Sequence, residues 1–430
     1  MNEPVARVAI VGRDAAAWLS ALALQRSFGK AGVQVELIEL PSALRPQDAY
    51  ITLPTQQAFH RLLGLDETRL LRAASGLYSL GHRFSNWSGA DAPFLHAYDT
   101  HGISLNYVDF LQYWLKARAN GLKVPLEDFS LGAAAAKQGR FVIFNDSTQA
   151  FSKATYGYNL AAIPYLRTLG QAALGGGIRH TVADLRSVEH QDGRIRSVTL
   201  ADGREVVADL YLDASGAEAA LIRHLEPAGN FESWRRWLPC DRLAVASAPP
   251  LDPVPAFNQV SAFRAGWLGI YPLLGRTVLM AAYANTEISP QNIAPTIMAL
   301  SGLRIQGDTI LSPIEPGSRR QHWIGNCVAI GDTAASLDPL DAVQLHLLHT
   351  GLSYLVSMFP VDRHHMPEAS VFNRKMESHC IGVRDYQAAH FKLNRRFGEP
   401  LWDESRVQEA PPTLARKLRL FSARGIVALE

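Results

Sequence analysis

A β-branched run, Val5-Ala-Arg-Val-Ala-Ile-Val11, runs within three residues into an alanine- and leucine-rich stretch over 15–24, and this junction constrains the fold most. The first segment predicts a buried strand and the second a helix with an apolar face. Between such elements a dinucleotide-binding unit carries G-x-G-x-x-G, so that backbone can approach a pyrophosphate over a helix N-terminus. Here only Gly12 stands in place, while Asp14 and Ala17 occupy the second and third glycine positions, with Ala15 between them. Residues 33–40 predict a second strand ending near Glu39, an acid placed to bond ribose hydroxyls. The frame of a nucleotide site is written here with most of its glycines replaced. An aspartate facing the phosphates would cost on the order of 1–4 kcal/mol in repulsion, which Arg13 could offset or, by pairing with Asp14, turn into a blocked pocket.

The rest of the chain says what kind of frame this is. Residues 41–75 carry prolines and then helical spacing, and segments near 80–87, 139–144 and 195–212 alternate as antiparallel strands do. Gln191-Asp-Gly-Arg and Ala201-Asp-Gly-Arg predict hairpin turns. Two further strand-to-turn junctions follow, Ala208-Asp-Leu-Tyr-Leu-Asp-Ala-Ser-Gly216 and Cys327-Val-Ala-Ile-Gly-Asp332, separated by a β-rich region over about 240–285. From 341 onward the spacing is mostly helical, with breaks near 398 and 411. A simple dehydrogenase would run on in uninterrupted βα units. Three junctions this far apart predict an α/β chain with an FAD-binding fold, glutathione-reductase-like or hydroxybenzoate-hydroxylase-like, with β-rich insertions and a helical C-terminal part. We expect one unit over 1–430. Its nucleotide-binding parts are about 5–55, 205–225 and 320–360, its substrate-side parts about 76–200 and 235–320, and its C-terminal helices about 361–430.

Composition removes other classes. The 42 Lys and Arg are scattered among 40 acids for a net charge of +2, so no basic stripe for nucleic acid is expected. No apolar run reaches membrane-spanning length and no signal peptide precedes the first strand, which makes the cytoplasm the expected location. Three cysteines, Cys240, Cys327 and Cys380, have no C-x-x-C spacing and read as buried thiols, with no metal site expected.

Six landmarks in order resemble the flavin-dependent tryptophan halogenases: Phe84-Ser-Asn-Trp87; the 208–216 segment with Leu221-Ile222; Leu238-Pro-Cys-Asp-Arg242; Asn326-Cys-Val-Ala-Ile-Gly331; Leu337-Asp-Pro-Leu-Asp341; and Val383-Arg-Asp-Tyr386 with His390 and Trp402. The resemblance implies FAD, held at Gly12, Asp14, Ala15, Ala17, Glu39, Gly331, Asp332 and Leu340, with a grip weakened or lost. Asp332 could equally cap a helix. It also implies a separate flavin reductase, a small-molecule or peptidyl aromatic substrate near Trp87, Trp267 and Pro272, and a homodimer. Taken singly, Trp87, Trp267 and Trp402 are better explained as core or cavity lining than as catalytic.

The departures from the family pattern bear on chemistry. The family's lysine, which presents an electrophilic halogen to an unactivated ring, is Ser79 here, and neither His82 nor Arg83 replaces it. Of the other lysines only Lys153, close to Tyr158-Asn-Leu, is placed to approach the cavity. The partner carboxylate is the shorter Asp341, and the hydroxyl-bearing residues after it become Ala342-Val343-Gln344, a poor place to desolvate a halide. The family's paired tryptophans become Trp267 and Gly269, with Tyr271 inserted before Pro272, which predicts a wider or reshaped passage. The loop resembling "G-E-A-T" reads Ala49-Tyr-Ile-Thr52. Two readings therefore stand: a flavoprotein that performs an FADH2- and oxygen-dependent oxidation other than halogenation, with Asp341 as a base, or a non-catalytic relative kept as a binding or partner protein. An active halogenase with a displaced lysine comes third.

Overall fold

A computed structural model describes residues 3–89, 91–141 and 155–427; most of the strand expected at 139–144, and Lys153, lie outside them. The strand Arg7–Gly12 is central in a six-stranded sheet, between Leu210–Ala214 and Gln34–Glu39. Arg179–Val182 forms one edge, and Cys327–Ala329 with Trp323–Ile324 forms the other. All pairings are parallel except the last hairpin. The first strand reads as a continuous apolar run because both its faces are covered. Val8 and Ile10 pack with the helix Asp14–Phe28 on one side, and Ala9 and Val11 pack beneath Ile195, Val198 and Leu200 on the other.

Those last residues belong to a three-stranded antiparallel sheet, Leu185–Gln191, Arg194–Leu200 and Glu205–Val206, whose two turns are the expected Asp-Gly pairs. Asp192 and Gly193 both take positive φ (52° and 70°), as a tight hairpin of this hand requires. One expectation is corrected within the segment 195–212. Its last part, Leu210–Ala214, leaves the antiparallel set and joins the central sheet in parallel, because all five of its residues are buried and need cover on both faces.

The β-rich region over 240–285 is the body of a seven-stranded sheet, ordered Gln306–Pro313, Arg242–Ala248, Arg276–Tyr283, Gly266–Leu273, Asn258–Phe263, Gly81–Ser85 and Phe94–Ala97. A small sheet of Ala49–Ile51, Gly157–Ala161 and Leu77–Ser79 lies between the larger two in the chain's path. The helices Gln344–Ser357, Glu368–Lys392, Pro400–Val407 and Pro412–Arg424 close the molecule. The long helix Glu368–Lys392 and the helix Pro400–Val407 are fastened to the seven-stranded sheet and the residues just beyond its strand Gly81–Ser85, with Trp402 Nε1 donating to Phe263 O at 2.7 Å and Trp87 Nε1 donating to His390 O at 3.0 Å. The three cysteines are buried and free. No described helix is long and apolar enough to cross a membrane.

Candidate functional site

The cleft at the end of the first strand is shaped by backbone. A Cβ on Gly12 would lie 2.5 Å from the Cβ and the carbonyl oxygen of Ala214, so only glycine lets these strand ends close. Asp14 turns left-handed at φ 58°, a conformation glycine adopts freely and aspartate tolerates better than most residues. Its carboxylate accepts from Ser42 Oγ at 2.5 Å and from Ala43 N at 3.3 Å. Arg13 forks onto Glu218 at 2.9 and 3.0 Å, so neither residue takes the other as its hydrogen-bonding partner. The helix Asp14–Phe28 has no side-chain cap, and among the described residues Ala15 N meets only the Tyr50 hydroxyl, at a long 3.4 Å. Uncapped N–H groups at a helix N-terminus suit a phosphate.

The remaining cofactor candidates surround this turn. Ala17 is fully buried and its N–H continues the helix ladder to Arg13 O. Glu39 accepts from Trp18 Nε1 at 3.1 Å and meets His180 Nε2 at 2.8 Å, which leaves lone pairs for a ribose hydroxyl. Gly331, at φ 63°, comes so close to the first helix that a Cβ would lie 3.1 Å from Ala16 Cβ. The Asp332 carboxylate is exposed at the cleft and makes no hydrogen bond among the described residues, so it caps nothing; the protein packed around it, and secondly Asp14, push its pKa up to about 6. Burial likewise raises Asp14 and Asp48. This backbone fits an FAD pyrophosphate, while the three neighbouring carboxyl groups weigh against it.

The second half of the site is built on a strained turn. Asp341 and Ala342 both adopt left-handed φ (66° and 59°), rare for consecutive non-glycine residues and a mark of an over-determined site. Asp338 sets the turn by accepting from Leu340 N at 3.0 Å and Trp267 Nε1 at 2.9 Å. Gln387 on the long helix donates to the carbonyls of Asp338 and Leu340, each at 2.7 Å. So held, Asp341 Oδ2 lies 3.3 Å from His390 Nε2, a charge contact without hydrogen-bond alignment. Burial opposes the ionisation of both groups, yet their mutual attraction prevails: Asp341 lies below the usual carboxylate range and His390 above the usual imidazole range. His82 and His96 also face this carboxylate electrostatically. His82 shares a 2.7 Å hydrogen bond with Tyr98, and His96 a 3.0 Å one with Tyr386.

His390 also lines a cavity of about 360 Å³ with Phe84, Trp87, Phe94, Tyr386 and Leu393, with Asp91 and Arg395 among its lining. Phe84 stacks on the His390 ring at 5.0 Å and Trp87 meets it edge-on at 5.9 Å. Trp87 thus reaches the cavity. Trp267 is fully buried behind the Asp338 turn, Leu340 is buried with it, and neither these two nor Pro272 lines the cavity. Ser79 is buried, donating to Gly81 O at 3.0 Å. The passage expected to widen at Gly269 is covered by Tyr271: a Cβ on Gly269 would lie 2.6 Å from Tyr271 Cζ.

Comparison with known proteins decides what this arrangement belongs to. Residues 7–430 match the family model described as tryptophan halogenase. The chain belongs to the tryptophan halogenase family. This family is flavin-dependent, and membership implies an FAD site. The fold superimposes with a TM-score of 0.91 on BrvH, a flavin-dependent halogenase from Brevundimonas sp. BAL3, at 33% identity over 99% of this chain and 87% of that one. A flavin-dependent halogenase from Xanthomonas campestris matches with the same TM-score at 27% identity, over 97% and 84% of the two chains. Among curated proteins, tryptophan 7-halogenase RebH from Lentzea aerocolonigenes is 26% identical over 98% of this chain and 83% of its own length.

Within this halogenase fold, sequence reasoning found Asp341 and Trp87 but set His82 aside and gave His390 no chemical role. The signal for His390 was its place in the C-terminal landmark. His96 and Tyr386 are 290 residues apart, and no local pattern could have joined them.

Proposed function

We propose that this halogenase-family protein uses reduced FAD and oxygen to oxidise an aromatic small molecule, and that it does not halogenate by the family's lysine route. The observation that carries this is the pairing of Asp341 with His390 beside an aromatic cavity, while the lysine position holds a serine bonded to Gly81. The cofactor's chemistry is two-electron activation of oxygen: substrate–H, oxygen and FADH2 give substrate–OH, FAD and water. Backbone at Gly12 and Ala15 would hold the pyrophosphate, Glu39 the ribose, and Gly331 the flavin end. A separate reductase would supply the reduced flavin. Phe84, Trp87 and Phe94 would seat the substrate ring. Asp341 would keep His390 oriented and able to take a proton.

A second reading, a binding protein without catalysis, draws support from Asp14, Asp48 and Asp332 gathered at the phosphate end. The two are separated by titrating the purified chain with FAD and FADH2 by calorimetry. Micromolar binding supports the flavoprotein, and assays with a flavin reductase, bromide and tryptophan should then give no bromotryptophan. Absence of binding by either form at high micromolar flavin leaves the binding protein.

A further inference from the structure

His390 joins the cavity to a buried charge pair. Its ring stands 14% exposed at the cavity wall, with Nε2 turned to Asp341 and no hydrogen bond to Nδ1 among the described residues. Around it stand Phe84, Trp87, Phe94 and Tyr386, and several polar side chains of the lining have other partners: Ser85 is bonded to Ser261, Tyr386 to His96, and Arg395 pairs with Asp91. An imidazole with one nitrogen against a buried carboxylate and the other free is the arrangement of an oriented base. Its counter-charge is already in place, so taking a proton creates no isolated buried cation.

We propose that the cavity takes an aromatic hydroxyl compound and that His390 Nδ1 removes the hydroxyl proton, with Asp341 as the positioning residue. This rests on the reading of the cavity as the substrate site. The step balances simply: the O–H bond breaks, its proton passes to Nδ1, and the electron pair stays on oxygen as a phenolate beside the imidazolium. The result bears on chemistry as well as on binding. An unactivated ring needs a strong, held electrophile, whereas a phenolate ring is electron-rich and reacts with a weaker oxidant. A phenol substrate would thus fit a site without the lysine.

Five other titratable groups face this pair: His82, His96, Tyr98, Tyr271 and Tyr386, with Asp338 behind the turn. Burial holds His82 and His96 below the usual imidazole range and the tyrosines above the usual phenol range. All five are thereby biased toward their neutral forms, and of these groups His390 is the one that combines a place on the cavity wall with a carboxylate partner.

The test needs no flavin, so it stands or falls apart from the oxidase reading. The flavin-free protein is titrated with 7-hydroxycoumarin and with 7-methoxycoumarin, and the absorbance of bound dye separates phenol from phenolate. The hydroxy compound should bind at least tenfold tighter and appear as phenolate below its solution pKa. H390Q should lose both the preference and the phenolate band. D341N should keep binding while the pH midpoint for phenolate moves up by about one unit, an effect that packing alone would not produce. Equal binding of the two dyes, bound dye that stays neutral, or no binding of either would overturn the proposal, and these wild-type readings hold even if a variant misfolds.

Discussion

Ser79 and Asp14 show how one side chain redirects a site. The Ser79 hydroxyl donates within its own turn, to Gly81 O, and meets the Tyr98 side chain, so Ser79→Ala should cost about 0.5–1.5 kcal/mol in denaturant unfolding and leave coumarin binding unchanged. A loss of binding would give Ser79 a direct role. Asp14 sits at φ 58° where glycine is free of strain, and its charge faces the phosphate end together with Asp332. Asp14→Gly should therefore raise FAD affinity about tenfold or more, the equivalent of removing roughly 1.4 kcal/mol of repulsion; calorimetry reads this directly. Unchanged affinity would show that Ser42 and Ala43 already neutralise the group. Glycine at 14, not a change at Arg13, is the informative substitution, because Arg13 is held by Glu218.

The strand-turn-helix is the element most legible in the sequence, since a β-branched run and an alanine-rich run have few other solutions. Its requirement at Gly12 is steric and comes from a strand 200 residues away. Gly12→Ala would push a Cβ into Ala214 at 2.5 Å, backbone against backbone. The expected outcome is loss of more than about 3 kcal/mol, read as a lowered melting temperature or insoluble expression. The Asp338–Ala342 turn was legible only as a landmark. Its paired left-handed residues, and their fastening by Gln387 from the long helix, depend on contacts that local spacing does not encode. The hairpins at Asp192-Gly193 and Asp202-Gly203 were readable because turn chemistry is local. The strand Leu210–Ala214 was half-read: its apolar run was plain, but its partners, and so its direction, were set by the sheet.

Across the whole molecule, buried neutral histidines predict acid lability. Burial lowers His60 to about 3, and His82, His322 and His346 to about 4. Each folded-state pKa lies below the unfolded value near 6.5, so the stability they allow is present above about pH 6.5 and is lost as pH falls from there toward about 4. Chemical denaturation across that window should show midpoints falling with pH; a flat profile would mean these rings open to water. Flavin binding should respond oppositely. With the Asp332 carboxyl pushed up to about 6, FAD affinity should strengthen as pH drops from about 8 toward about 6, before acid unfolding intervenes; affinity that weakens would place Asp332 outside the phosphate field. From sequence alone came the FAD-type α/β fold, the strand junctions, Gly12 and the missing lysine, because each is carried by local patterning or by order along the chain. Only the tertiary structure decided that Asp14 turns to Ser42, that Tyr271 covers Gly269, and that Asp341 meets His390 at an aromatic cavity. Those contacts join residues tens to hundreds of positions apart, or rotate one side chain over another, and such choices are made by packing.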